Sequence, residues 1–297
     1  MKSSAYIGRF APSPTGALHA GSVVTALASF LDARAHRGQW LLRIEDIDPP
    51  REVQGASVQI IQTLQALGLC WDGDVTFQSQ NTARYEDALV RLKACGQAYP
   101  CGCSRTEIAR RWQAMHPASR SVQQEWPYPG TCRQGMVEGR AVRSWRLRVP
   151  TGIEVFADRR CGERQEDVSS NTGDFVLRRA DGLWAYQLAV VIDDAAQGVT
   201  DIVRGEDLLD STARQRVLQR ALGLSMPRTL HVGLVMGDDG QKLSKQNGAV
   251  PVSTARPLEV LGLALRTLGL PEPSSHNPED WLQQATASWA ARWGISP

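Results

Sequence analysis

Apolar positions in the first hundred residues follow two alternating rhythms. Residues 5–10 read as a short strand, and Val23, Leu27, Phe30 and Leu31 then share one face of a helix over 23–35. A buried-looking strand at 40–44 ends in Glu45-Asp46. Pro49-Pro50 predicts a helix start, with Ile60, Ile61, Leu64 and Leu67 on its buried face and Gly68 closing it. Ser79 is placed to cap a further helix carrying Tyr85, Leu89 and Leu92, ahead of a strand at 97–100. This is the βαβα rhythm of a parallel sheet with helical crossovers. Ligands of such sheets gather beyond the carboxyl ends of the strands, where residues 9–16 and Glu45 fall.

The rhythm stops between Cys101 and Ser170, a stretch with clustered cysteines, Trp126-Pro127-Tyr128-Pro129-Gly130 and an alternating strand at 145–149. It resumes with a strand at 175–178, a turn at Asp181-Gly182, a helix over 184–196 and a strand at 200–204. Ser211 is expected to cap a helix over 211–222, and Asp238-Asp239-Gly240 to make a tight turn. Beyond Pro251 the pattern is helical, around 260–268 and 281–293. The expected organisation is therefore residues 1–100 and 171–247 as two halves of one α/β unit, 101–170 as an insertion, and 248–297 as a short helical region.

Composition narrows the classes. The 297 residues are 42% hydrophobic and 22% charged, an ordinary globular balance. Lys plus Arg is 33 against 31 acidic residues, so nucleic-acid binding requires a local patch rather than a global field. Arg143, Arg146, Arg148, Arg159, Arg160, Arg164, Arg178 and Arg179 are the arginine-rich stretches. No apolar run reaches the roughly 18 residues of a spanning helix, and Arg9 interrupts any secretory signal. Six cysteines without such a signal predict reduced thiols in the cytoplasm. Cys70, Cys95 and Cys161 are expected to behave as small buried apolar groups.

Two distant peptides carry the chemistry. Pro12-Ser13-Pro14-Thr15-Gly16-Ala17-Leu18-His19-Ala20-Gly21-Ser22 breaks a strand, turns at glycine and opens a helix. Glycine admits close approach of phosphate, and a helix N-terminus favours the anion. Lys242-Leu243-Ser244-Lys245-Gln246 supplies two cations on a loop. Alone, His19 reads as a capping or packing residue and the lysines as solvated. Together and in this order the peptides resemble the paired signatures of class I aminoacyl-tRNA synthetases, in the glutamyl branch. Ala20 and Ser22 depart from the usual His-Ile-Gly-His, and the lysine loop has leucine where many relatives have methionine.

The resemblance implies a Rossmann-type α/β catalytic domain with a parallel sheet, an inserted zinc-bearing α+β module and a short helical C-terminal region. It implies ATP binding by Pro12, Thr15, Gly16, His19, Gly21, Ser22, Leu243, Ser244 and Lys245, with His19, Lys245 and Lys242 catalytic and Mg²⁺ accompanying ATP. Arg9, Ser13, Glu45, Tyr186 and Arg204 match positions around the amino acid. Two carboxylates and one ammonium of glutamate call for arginines plus one acid, and such arginines would be poorly paired by glutamine.

Cys101-Gly102-Cys103 and Cys132 suggest tetrahedral zinc with one position to fill. A subgroup of glutamyl-like enzymes has tyrosine there, which implies Tyr128; His116 is the chemically more ordinary donor. The chain ends about fifty residues after Lys245, where full glutamyl-tRNA synthetases continue into anticodon-binding domains. That layout resembles the short zinc-bearing paralogue family, which activates glutamate without tRNA. The family transfers it to queuosine at the wobble position of tRNA(Asp). Arg143 and Arg148 are the expected contacts to phosphates of the anticodon stem-loop. A monomer without membrane association is expected. The rival readings are a shortened synthetase charging a tRNA 3′ end, a nucleotidyltransferase of the same fold, and an RNA-binding module with a vestigial ATP site.

Overall fold

The computed structural model describes residues 5–116, 126–235 and 251–296. The first unit runs β1 (Ile7–Phe10), α1 (Ala20–Ala35), β2 (Gln39–Ile44), α2 (Ala56–Ala66) and β3 (Thr76–Phe77). Strands β1, β2 and β3 form a parallel sheet, with Arg9 opposite Leu41 and Arg43 opposite Thr76. After α3 (Thr82–Ala94) the chain enters β4 (Ala98–Cys101), α4 (Arg105–Met115), β5 (Ser144–Leu147), the hairpin β6 (Glu154–Asp158) and β7 (Gly162–Glu166), α5 (Val168–Asn171) and β8 (Val176–Arg178). It continues through α6 (Tyr186–Ala196), β9 (Asp201–Gly205), α7 (Leu209–Leu222) and β10 (Arg228–Val232) to α8 (Pro257–Thr267) and α9 (Pro278–Trp293).

Strand β10 lies between β9 and β6, parallel to both, and β7 closes the edge antiparallel to β6. Thr200 ties β9 to β1: its N–H donates to the Ile7 carbonyl at 2.9 Å, and its Oγ1 accepts from the Ile7 N–H at 2.9 Å. From β1 the chain therefore winds outward through β2 to β3, then returns on the other side of β1 as β9. The junction of β1 and β9 is a topological switch point, where open α/β sheets bind ligands.

Several expectations change. The strand at 97–100 does not extend the parallel sheet; β4 pairs antiparallel with β5, which pairs with β8. A short apolar alternation does not reveal which distant strand will be its partner. The prolines at 49 and 50 open only a 3₁₀ turn, because the Val53 N–H leaves the helical path to donate to the Pro14 carbonyl at 2.9 Å. Helix α2 starts afresh after Gly55, whose φ of +79° favours glycine. Ser79 caps nothing; its N–H and hydroxyl both donate to Asp46. Ser211 lies inside α7, where its hydroxyl accepts from Gln187. Cys70 and Cys95 are exposed and Cys161 is half-buried, so they are not core groups. The turn expected at Asp238 to Gly240 lies outside the described residues.

The two C-terminal helices complete the first core. Trp281 and Trp289 are buried with Trp40, Leu27 and Leu31. Asp32 on α1 is fully buried and accepts from four donors on three other segments. These are Tyr6 Oη at 2.6 Å, Arg159 Nη1 and Nη2 at 2.6 and 2.9 Å, and Trp289 Nε1 at 2.9 Å. Asp32→Ala leaves those donors unpaired inside the protein, a loss of about 3 kcal/mol or more. The urea midpoint measures it, and a change below about 1 kcal/mol would show that this node does not hold α9.

Candidate active site

The first signature peptide forms the link between β1 and α1. Gly16 has φ +126°, a conformation that glycine adopts without strain. His19 is the N-cap of α1, and its Nδ1 accepts from the Ser22 N–H at 3.4 Å. That bond places the ring proton of neutral His19 on Nε2, a donor suited to an anion. Gly21 and Ser22 lie in the first turn of α1, where backbone N–H groups lack helical partners. The Glu45 N–H donates to the Pro12 carbonyl at 3.0 Å, fixing the peptide against the end of β2. Ser13 is exposed beside it, and Thr15 N–H donates to the Ser13 carbonyl at 2.8 Å. Lys242, Leu243, Ser244 and Lys245 lie outside the described residues. Past them, Pro251 bridges to His19 and the Val252 N–H donates to the Leu18 carbonyl at 3.0 Å.

Behind this loop lies a buried charge cluster. Arg9 on β1 and Arg43 on β2 both reach Asp194 near the end of α6. Arg9 Nε donates at 3.1 Å and Nη2 at 3.4 Å; Arg43 Nη2 donates at 2.8 Å. Arg43 Nη2 also donates to Glu45 at 3.3 Å. Burial alone would raise the Asp194 carboxyl, yet the two guanidinium groups outweigh it and hold it low. Burial wins at Glu45, whose carboxyl is raised despite Arg43 and Arg9. Glu45 is thus an acid that an incoming ammonium would stabilise. Tyr186 opens α6 half-buried, its phenol raised by burial and by Glu45.

Arg204, on β9, is 3% exposed and is held by neutral groups. Its Nε donates to His231 Nε2 at 3.0 Å, Nη1 to Gln215 Oε1 at 2.9 Å and Nη2 to Thr212 Oγ1 at 2.9 Å. Among the described residues no carboxylate lies within ion-pair distance of it. Burial, and the like charge of Arg9, weaken its charged form, while Tyr186, Asp194 and Glu45 support it. The arrangement is a buried cation held in a fixed orientation by neutral acceptors, near a second arginine and an acid.

The fold thus brings Arg9, Glu45, Tyr186 and Arg204 into one electrostatic neighbourhood. Sequence reading missed Arg43, Asp194, Thr212, Gln215 and His231. Arg43 and His231 each interrupt an apolar strand, and Asp194 ends an apolar helical run, so a polar residue inside a buried pattern was the available signal.

A second constellation lies beyond β4. Cys101, Cys103 and Cys132 are buried, with their sulfurs within 4.8 Å of one another, and Cys103 and Cys132 Sγ are 3.6 Å apart. Sulfurs bound at 2.3 Å to one tetrahedral ion would lie roughly 3.8 Å apart. Tyr128 Oη is 3.3 Å from Cys101 Sγ and 3.8 Å from Cys103 Sγ, and accepts from the Cys132 N–H at 2.8 Å. His116 is elsewhere: exposed, stacked on Trp112, its Nδ1 at the Trp112 carbonyl. Burial opposes ionisation of Cys101, but Tyr128, the Cys103 N–H and Arg146 bring its thiol down to about 7. Burial and the Cys101 charge push Cys103 up to about 11. The Arg146 guanidinium also lies 3.8 Å over the Tyr128 ring. Three soft sulfur donors and one oxygen, inside a small core, form a donor set that fits zinc.

Most arginines of the arginine-rich stretches are already engaged. Arg159 pairs with Asp32, Arg160 with Glu206, Arg178 with Glu86, and Arg179 with Asp48 and Asp181. Arg148 stacks on Tyr99, 4.8 Å from the ring centre, and Arg143 is exposed. Among the described residues no helix is long and apolar enough to cross a membrane.

The pattern of the family described as tRNA synthetases class I (E and Q), catalytic domain, matches residues 7–267. Glutamyl-Q tRNA(Asp) synthetase of Bordetella bronchiseptica is 56% identical over 291 residues, covering 98% of this chain and 90% of that protein. The Leptothrix cholodnii protein of the same name is 56% identical over 293 residues, covering 96% and 97%. Among solved structures, glutamate-tRNA synthetase from Elizabethkingia anophelis has a TM-score of 0.78 at 24% identity, over 96% of this chain and 66% of that one. A glutamate tRNA ligase from Elizabethkingia meningosepticum, in complex with its amino acid, has 0.76 at 24% identity, over 96% and 64%. These two show the shared fold, and the chain spans just under two thirds of their length. The chain belongs to the class I tRNA synthetases of the E and Q type, and among these it is similar along nearly its whole length to the glutamyl-Q tRNA(Asp) synthetases.

Proposed function

We propose that this protein activates L-glutamate with ATP, without tRNA, and transfers the glutamyl group to the cyclopentene-diol of queuosine at the wobble position of tRNA(Asp). The observation that carries the substrate is Arg204, a buried cation on neutral partners beside Arg9 and Glu45. The likeness to relatives named for this activity supports the acceptor.

In the first step a glutamate carboxylate oxygen attacks the α-phosphorus of ATP, and the bond to pyrophosphate breaks. No nucleophilic side chain is needed; orientation and positive charge lower the barrier. Pro12, Thr15, Gly16, Gly21 and Ser22 line the nucleotide, His19 Nε2–H donates to phosphate, and Lys242 and Lys245, with Leu243 and Ser244, supply charge from the second signature peptide. Lys245 stands six positions before Pro251, which bridges to His19. That length spans at most about 20 Å, which supports a shared site. Mg²⁺ enters with ATP and offsets phosphate charge. Arg204 and Arg9 receive the acidic amino acid, Glu45 its ammonium, and Ser13 and Tyr186 complete the pocket. In the second step a queuosine hydroxyl oxygen attacks the acyl carbon, AMP leaves, and the hydroxyl proton passes to solvent.

Cys101, Cys103, Cys132 and Tyr128 would hold one zinc ion, which would brace the segment over 101–170. We take that segment as the RNA-contacting unit, inserted between halves at 1–100 and 171–247 and followed by helices over 248–297. Arg143 is the better placed of the two proposed phosphate contacts, because Arg148 already covers Tyr99.

Labelled glutamate should attach to tRNA(Asp) bearing queuosine, at the anticodon nucleoside, and not to tRNA lacking it; label at the 3′ adenosine would favour a shortened synthetase instead. Glutamate-dependent pyrophosphate exchange should fall about a hundredfold in Lys245→Ala, with glutamate affinity little changed; a steady rate would remove Lys245 from the reaction. Purified protein should contain about one equivalent of zinc, lost in Cys103→Ser, and zinc uptake should strengthen as pH rises through neutrality because protonated thiols must ionise. Metal-free native protein would exclude the centre.

A further inference from the structure

Arg204 is held from behind by a chain of groups that runs across three neighbouring strands. His231 stands opposite Arg204 in the parallel β9–β10 pair, and Asp158 ends β6 on the other side of β10. His231 Nδ1 lies 2.6 Å from Asp158 Oδ2, and His231 Nε2 accepts from Arg204 Nε at 3.0 Å. His231 has no exposed surface, and Asp158 is 3% exposed.

Donor chemistry assigns the protons. Arginine Nε has only a hydrogen to give, so His231 Nε2 must present its lone pair. The Asp158 carboxylate only accepts, so His231 Nδ1 must carry the hydrogen. A second proton on His231 would put an N–H against Arg204 Nε–H and add a buried positive charge. Burial and the Arg204 charge hold the imidazole neutral, although Asp158 pulls the other way. Asp158 is itself locked. Its Oδ1 accepts from the backbone N–H groups of Cys161 at 2.9 Å, Arg160 at 3.1 Å and His231 at 3.3 Å. Ionised Asp158 thus fixes the imidazole orientation, and the imidazole fixes the guanidinium plane.

We propose that Asp158 and His231 form a positioning relay that aims Arg204 at the side-chain carboxylate of the amino-acid substrate while leaving the guanidinium charge for that carboxylate. A carboxylate placed directly on Arg204 would orient it equally well and would neutralise it. A neutral imidazole orients without neutralising, and an acidic ligand is then favoured over its amide. With Gln215 and Thr212 taking one hydrogen from each terminal nitrogen, one hydrogen remains on each for a bidentate contact. The relay rests on the glutamate reading above and deepens it by naming what makes the arginine selective.

The test measures pyrophosphate exchange with glutamate and with glutamine, at varied ATP, for the parent protein, His231→Leu and His231→Gln. Leucine removes the acceptor for Arg204 Nε, whereas glutamine keeps a neutral one. His231→Leu should raise KM for glutamate about tenfold or more and narrow the preference over glutamine by a similar factor. KM for ATP should stay within about twofold, and His231→Gln should recover most of the loss. An unchanged glutamate KM in His231→Leu overturns the relay. So does an equal loss in both variants for both substrates, the result that a packing role gives. Should His231→Leu fail to fold, Asp158→Asn decides: a several-fold higher glutamate KM supports the relay and an unchanged one overturns it. A parent protein with no glutamate-dependent exchange overturns the functional reading itself, a result distinct from a selective parent whose His231 variants behave like it.

Discussion

A guanidinium inside the protein with no carboxylate against it among the described residues is the constraint on which this structure turns. Burying a charge costs several kcal/mol, and an ion-pair partner ordinarily offsets that cost. Arg9 and Arg43 follow the ordinary rule, sharing Asp194. Arg204 does not; a histidine, a glutamine and a threonine hold it. Such a group is tolerated where a ligand completes it, and its position at the junction of β1 and β9 is where an open α/β sheet receives ligands.

Keeping that cation in place requires rigid surroundings. Parallel strands β9, β10 and β6 set Arg204, His231 and Asp158 side by side, and Thr200 fastens β9 to β1. Helix α1 packs against α8, which buries Leu261 and Leu265, and against α9 through Trp281, Trp289 and the Trp289 bond to Asp32. Asp32 also receives Arg159 from the turn that follows β6. The same turn carries the N–H groups that lock Asp158. One short segment therefore braces helix α1 and, through Asp158 and His231, the buried Arg204 together.

The cysteine centre obeys a different logic. Its small core of Tyr99, Cys101, Cys103, Ile108, Tyr128 and Cys132 offers little apolar area. A bound ion would supply the cross-link that such a core lacks. Arg146 serves both chemistry and structure there, lying over Tyr128, lowering the Cys101 thiol and donating to the Asp174 carbonyl at 2.7 Å.

Much was legible in the order of residues. Long apolar periods marked α1, α3, α6 and α9; prolines and glycines marked the turn before His19; paired motifs named the family. Local periodicity and short motifs carry that information because a helix, a turn or a cysteine pair is settled within a few residues. The partner of β4, the 3₁₀ turn at Pro49 and the hydroxyl roles of Ser79 and Ser211 were not legible, since each depends on a group far away in sequence. So does the choice between Tyr128 and His116 beside the thiols. The same holds for Asp158, His231 and Arg204: each looks like an isolated polar residue in its own strand. Only the ordering of three strands in one sheet puts an acid, an imidazole and a guanidinium in line, because charge and hydrogen bonding act across space and not along the chain.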